Sequence, residues 1–266
     1  MELNETKRRI FVSCPFDLLK EKYLSRLIQE RINPEIGLNG TILDRYILKD
    51  FLEVNVALRA EEIRCTVHAP FTDVSLGAVD KKVRQISIDR IKSGIDIAAL
   101  LGARALVFHT GWERKIYADA EELWLDNFSS SLEECIMHAD RSSVSIALEN
   151  VFELDTNLHR QIFKRFPQDI LGFCLDTGHV YAFSKTPLSQ WIDDLGERIS
   201  HLHLHDNHGA EDEHLAPGAG IVDFDVLFSW LKSHGKKPVM TFEAHDEETV
   251  VPGLLAIGRL LDKYPF

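Results

Sequence analysis

At 266 residues and 45% hydrophobic content, the chain has enough apolar material for one large α/β domain with a sizeable core. Its formal charge of −12 runs against the basic footprint of a duplex-binding protein, and no stretch approaches the ~20 apolar residues of a membrane span. Cys14, Cys65, Cys135 and Cys174 form no CxxC pair, which argues against a zinc ribbon or disulfide scaffold and fits a reducing, cytoplasmic setting.

The first residues, MELNETKRRIFVS, lack the apolar core of a signal peptide. From there β-type and helix-type segments alternate. RIFVSC (9–14) precedes the helical pattern DLLKEKYLSRLIQERI (17–32), followed by NPEIGL (33–38) and RCTVHA (64–69). VRQISIDRIKSGIDIAALLG (83–102) predicts a helix ending at a Gly102 C-cap, ahead of ARALVFH (103–109). SVSIALEN (143–150), ILGFCLD (170–176) and ISHLHLHD (199–206) follow. Asp223 is placed to cap the helix through FDVLFSWLKSHG, and PVMTFEA (238–244) closes the series. No Pro/Gly/Ser-rich linker divides the chain, so residues 1–266 are read as one domain. Eight strand–helix repeats point to a parallel α/β architecture.

The strand faces select among such architectures. Side chains alternate along a strand. In ALVFH, Ala105, Val107 and His109 alternate with Leu106 and Phe108. In SIALE, Ser145, Ala147 and Glu149 alternate with Ile146 and Leu148; in GFCLD, Gly172, Cys174 and Asp176 alternate with Phe173 and Leu175. An open doubly wound sheet would be apolar on both faces. One bulky face and one small or polar face fit a closed (β/α)8 TIM barrel, whose interior is narrow. A Rossmann-type fold is the weaker alternative, because no GxGxxG follows the first strand.

The inner faces end in His68, His109, Glu149, Asp176, His203 and Glu243, with His179, Asp212 and His214 in the loops beyond. Active sites of this fold sit at that end of the barrel. Imidazoles with carboxylates suit Zn or Mn better than a soft, thiophilic ion. Several neighbours have plainer readings. His201 lies one step deeper than His203 and reads as a hydrogen-bonded core residue, whereas His205 is nearer the mouth and could touch substrate or support a ligand from behind. His208 and His245 read as solvent-facing loop residues. His138, His159 and His234 lie in helical stretches. Cys174 reads as a small core filler. Trp112 and Phe71 line a pocket or pack beneath a loop, and Glu35 reaches the site or faces solvent.

Taken together in this order, VHAPF (67–71), VFHTGW (107–112), ALEN (147–150), CLDTGH (174–179), HLHLHDN (201–207), DEH (212–214) with PGAG (217–220), and TFEAHD (241–246) resemble the xylose isomerase-like barrels. That superfamily includes sugar isomerases and epimerases and the endonuclease IV (AP endonuclease family 2) enzymes. The resemblance to the isomerase branch implies one divalent ion, Zn, Mn or Mg, on Glu149, Asp176, His203 and Glu243. The endonuclease branch implies two or three ions and adds His68, His109, His179, Asp212 and His214. Gly218-Ala219-Gly220 departs from the Gly-Glu-Gly of many relatives.

The first reading is an isomerase or epimerase of a small sugar, sugar acid or sugar phosphate. There a metal-stabilised enediolate would use Glu149 and Glu243 as acid and base, with His179, His205 and Trp112 on substrate. The second is a multi-zinc phosphoesterase, ahead of a lyase, a dehydratase or a non-catalytic metal-binding barrel. The loops NHGAEDEHLAPGAGIVDF and AHDEETVVPG hold no Lys or Arg, so a polyol or sugar phosphate is the expected partner in preference to nucleic acid or membrane. A homodimer is the default assembly.

Overall fold

A computed structural model describes residues 1–103 and 105–266; Arg104, which the sequence reading puts in the fourth strand run, lies outside the described residues. Eight strands close in chain order into a barrel: β1 Ile10–Pro15, β2 Asn33–Gly37, β3 Thr66–His68, β4 Ala105–His109, β5 Ser145–Glu149, β6 Leu171–Asp176, β7 Ile199–Leu204 and β8 Val239–Phe242. Every neighbouring pair is parallel, including β1 with β8. The (β/α)8 expectation is met.

The two strand faces divide as the alternation requires. Leu106, Phe108, Ile146, Leu148, Phe173, Leu175, Leu202, Leu204 and Phe242 are buried in the large core shared with the helices. Val107, Ala147 and Cys174 form a separate small cluster inside the barrel. Their modest volumes leave room above for larger polar side chains. Register then brings those polar residues level: His109 pairs with Glu149, Asp176 with His203, and His203 with Thr241.

The helices start and stop where the sequence supplies caps. Asp80 accepts from the backbone N–H groups of Lys82 and Val83 at the head of Lys81–Leu101, and Gly102 ends that helix at φ 74. Asp223 accepts from the Val226 N–H, as expected. The first predicted helix departs from expectation: it is Phe16–Leu18 and Leu24–Glu30 joined by a π-helical segment, Leu19–Tyr23. Among the described residues no helix is long and apolar enough to cross a membrane.

The loop after β7 is held by one carboxylate. Asp206 is fully buried. Its Oδ1 accepts from the N–H groups of Asn207 and Val222, and its Oδ2 accepts from those of Gly218 and Gly220 at 2.8 and 2.9 Å. A side chain at 220 would collide with the Asn207 carbonyl oxygen, so glycine is required for this approach. The Gly-Ala-Gly turn is therefore a backbone clamp on Asp206. Asp206→Ala would leave four N–H donors without their anion and is expected to cost about 3 kcal/mol or more in denaturant unfolding. A loss below about 1 kcal/mol would show that the loop holds without the carboxylate.

Candidate metal centre

At the C-terminal mouth, Glu149 ends β5 with 1% exposure and one oxygen turned to each side. Its Oε2 lies 3.2 Å from His68 Nε2 and 3.4 Å from His109 Nε2. Its Oε1 lies 3.3 Å from His203 Nδ1 and 3.2 Å from His179 Nδ1. His203 Nδ1 also faces Glu243 Oε1 at 3.0 Å and Asp176 Oδ2 at 3.9 Å. A further group forms on the loop side, where Asp212 Oδ2 is 3.3 Å from His179 Nε2 and 3.0 Å from His214 Nε2. The nine residues thus fall into three adjoining sets: His68, His109 and Glu149; Glu149, Asp176, His203 and Glu243; and His179, Asp212 and His214.

The imidazoles are aimed by partners on their outer nitrogens. His68 Nδ1 bonds the Ala69 carbonyl and His179 Nδ1 the Asn150 carbonyl, both at 2.9 Å. His203 Nε2 is 2.9 Å from Glu35 Oε1, and His214 Nδ1 is 3.3 Å from the Glu243 carbonyl oxygen. In His68 and His214 this presents Nε2 to a carboxylate, as in metal-binding histidines oriented by outer partners, whereas His179 Nδ1 sits between the Asn150 carbonyl and Glu149 Oε1, and the close Glu35–His203 pair makes no hydrogen bond. His214 adopts a left-handed backbone, φ 54, uncommon for a residue other than glycine.

Neutral hydrogen bonding does not satisfy this cluster. Glu149 Oε1, His203 Nδ1 and Asp212 Oδ1 are buried without a hydrogen-bond partner among the described residues. Buried polar atoms normally find one. Converging nitrogen and carboxylate lone pairs suit a divalent ion, zinc in particular. Burial opposes the charge of Glu149, yet His203 and His109 hold its carboxyl well below the usual range. Burial likewise opposes a proton on His203. The Cys174 sulfur lies beside that ring, but burial keeps its thiol protonated, so Glu149, Glu35 and Glu243 carry the upward push. His179 is also raised, against burial, chiefly by Asp176 and Asp212. In the ion-free protein these imidazoles keep protons above their ordinary pKa, and a metal must displace them.

Several expectations need revising. His205 does not reach the cavity: it is fully buried, with Nε2 3.1 Å from Asp176 Oδ2 and its ring stacked on His214. With Nδ1 also 3.6 Å from Asp212 Oδ1, it lies among the candidate ligands, in line with the supporting role that is the second reading of this residue. His245 is exposed, as expected, and its ring stacks on the other face of His214 at 3.7 Å. Trp112 lines the cavity but is nearly buried, stacked on Tyr117 and edge-on to Trp124. His201 is buried as expected, bonded to Ser200 Oγ, and burial lowers its pKa to about 4. His159, passed over as a helical residue, is buried and bonds the Glu149 carbonyl at 3.3 Å.

Glu35 resolves inward. It is buried on β2, and its Oε2 accepts from the Thr66 and Thr241 hydroxyls at 2.9 and 3.0 Å. Asn150 was visible only as part of a motif. Its side chain accepts from the Asp176 N–H and donates to the Asp176 carbonyl, tying β5 to β6 beyond the strand ends.

A sequence model of the xylose isomerase-like TIM barrel family matches residues 37–262. The chain belongs to this family. Within it, the chain is 30% identical over 189 residues to the uncharacterized protein MJ1311 of Methanocaldococcus jannaschii; the match takes in 68% of this chain and 64% of that protein, so just under two thirds of the relative's length is spanned. It is 25% identical to fructoselysine 3-epimerase of Escherichia coli O157:H7, covering 62% of this chain and 61% of the epimerase. It is 26% identical to a probable endonuclease 4 of Mycobacterium leprae, covering 67% and 72%. The TTHB071 protein of Thermus thermophilus, in a structure soaked with ZnCl2, superposes with TM-score 0.77 at 25% identity over 96% of this chain and 97% of that one. A D-tagatose 3-epimerase-like protein shares the fold at TM-score 0.84 and 24% identity, over 96% and 98%. Family members therefore include both sugar epimerases and endonuclease-type proteins.

Glu35→Gln is expected to weaken zinc binding by ~10–100-fold in competition with a chelating dye, because His203 loses the anion that orients it; unchanged affinity would assign Glu35 to packing alone. Zinc binding near neutral pH is expected to release protons from the raised histidines, and apparent affinity is expected to climb with pH. Calorimetry in buffers of different ionisation enthalpy reads the release, and a buffer-independent heat would contradict it.

Proposed function

We propose that residues 1–266 act as one metal-dependent hydrolase barrel that holds up to three divalent ions, zinc by donor chemistry, and cleaves a phosphoester of a small substrate. The two-sided placement of Glu149 carries this reading: Oε2 faces His68 and His109 while Oε1 faces His203 and His179. A single chelated ion needs only one of those sides. His179, Asp212 and His214 would hold a further ion. Bound ions would supply Lewis acidity and neutralise phosphate charge.

Charge supports the same choice. Three divalent ions bring six positive charges, against four on Glu149, Asp176, Asp212 and Glu243 and one on the buried Glu35. The loaded cluster is net positive and attracts one phosphate. A lone ion among Glu149, Asp176 and Glu243 leaves those three carboxylates one positive charge short, a deficit that only protons on neighbouring imidazoles such as His68 and His179 can fill. Asp212 and Glu243 line the cavity together with Glu149 and would stand beside an attacking water. Glu35, Asn150 and Asp206 hold the ligand-bearing elements in place.

A specific observation favours a second reading. Glu149 and Glu243 flank His203 Nδ1 at 3.3 and 3.0 Å, the pair an epimerase would use to exchange a proton at carbon through an enediolate. The fructoselysine 3-epimerase relative agrees with it. With one ion, that site would take an uncharged hydroxy-ketone by chelation.

Elemental analysis of chelator-free protein separates the two. About three ions per chain, with hydrolysis of p-nitrophenyl phosphate lost to chelator and restored by zinc, is the expected result. About one ion, with solvent deuterium entering a ketose and no ester cleavage, would replace the hydrolase with the epimerase. Glu149→Gln is expected to lower zinc content and cut hydrolysis by more than the ~10–100-fold typical of outer partners.

A further inference from the structure

The cavity above the ligand cluster has a volume of about 1140 Å³, somewhat larger than the ~300–1,000 Å³ common for small-molecule sites. Among the described residues lining it, none is Lys or Arg, and Asp73 and Glu113 add negative charge. Part of its lining is apolar and open to solvent: Ile116 is 71% exposed, and Phe71 and Phe152 are each 50% exposed. Ile86 and Val83, on the helix Lys81–Leu101, extend the same wall. Folded chains do not usually leave such side chains gathered in the open. The wall begins at the ligands themselves, since the Phe71 ring stacks on His109 at 4.6 Å and meets His68 edge-on at 5.5 Å. Phe152 is braced edge-on by Phe183 at 5.0 Å.

A polyanion finds no side-chain cation here, and a bare sugar phosphate leaves the wall uncovered. We infer that the substrate is an ester of one phosphate with an apolar alcohol, aromatic or branched aliphatic, seated with its phosphate on the ligand cluster and its organic group against Phe71, Ile116 and Phe152. The inference rests on the hydrolase reading and adds the substrate class. The reaction needs no co-reactant beyond water: a P–O bond to water forms, the P–O bond to the alcohol breaks, and the alcohol leaves with a proton.

Direct binding separates this inference from the reaction. Zinc-loaded full-length protein is titrated by calorimetry with phenylphosphonate and with methylphosphonate, neither of which can be hydrolysed at oxygen. Phenylphosphonate is expected to bind at least tenfold more tightly, about 1.4 kcal/mol. The exposed-site double variant Ile116→Ser/Phe152→Ser is expected to remove most of that ratio. A retained preference for the phenyl ligand in a protein that hydrolyses no phosphate ester would remove the hydrolase reading and still support the apolar seat. Equal affinities, no binding of either phosphonate, or tighter binding of a single-stranded oligonucleotide would overturn it. So would a dimer that dissociates in the double variant while the ligand ratio stays unchanged, since the wall would then be covered by a second copy.

Discussion

A carboxylate with 1% exposure cannot stay charged in a barrel unless positive charge meets it, and Glu149 sets that condition for the whole mouth. Its two oxygens point to opposite sides, so compensation has to come from both. His68 and His109 answer on one side, His203 and His179 on the other. In the ion-free chain protons on His68, His203 and His179 do this work, while burial lowers the pKa of His109; divalent ions would do it with more charge and with geometry that imidazolium cannot match. The surrounding construction can be understood as the means of keeping those imidazoles aimed.

Three different supports accomplish that. Register does the first part, levelling His109 with Glu149 and Asp176 with His203. Side chains extend the ladder past the strand ends, where the Asn150 amide bonds the Asp176 backbone in both directions. Asp206 then gathers four backbone N–H groups and folds the next loop back, so that Asp212 and His214 arrive beside His179. Glu35 works from below, anchored by the Thr66 and Thr241 hydroxyls and facing the far nitrogen of His203. None of these supports lines up in sequence with the residue it serves.

The family holds both epimerases and endonuclease-type proteins, so membership alone does not choose a reaction. The choice here turns on charge. The middle set, with its three carboxylates, suits an uncharged chelating substrate when one ion is present. Under the proposed reading, filling the flanking sets would add positive charge and make the same cavity a phosphate site. The apolar wall beside His109 bears on a separate matter, the organic part of the substrate.

Strand alternation carried the barrel, because a narrow interior and a helix-covered exterior impose opposite sizes on successive residues. The same period put His109, Glu149, Asp176 and His203 on the inner face, and the caps at Asp80, Gly102 and Asp223 are local enough to read from the chain. Local pattern failed where partners come from distant elements. Glu35 looked equally suited to solvent until β3 and β8 supplied its two threonines. His205 shares a face with His203, yet the turn after β7 carries it beneath Asp176 and away from the cavity. His245 stays exposed in its polar loop as the pattern implied, and only the fold shows that its ring meets His214. Sequence by itself determined the fold and the candidate ligand types; only tertiary structure decided how those candidates divide into sets, because that division depends on which oxygen of one buried carboxylate faces which strand.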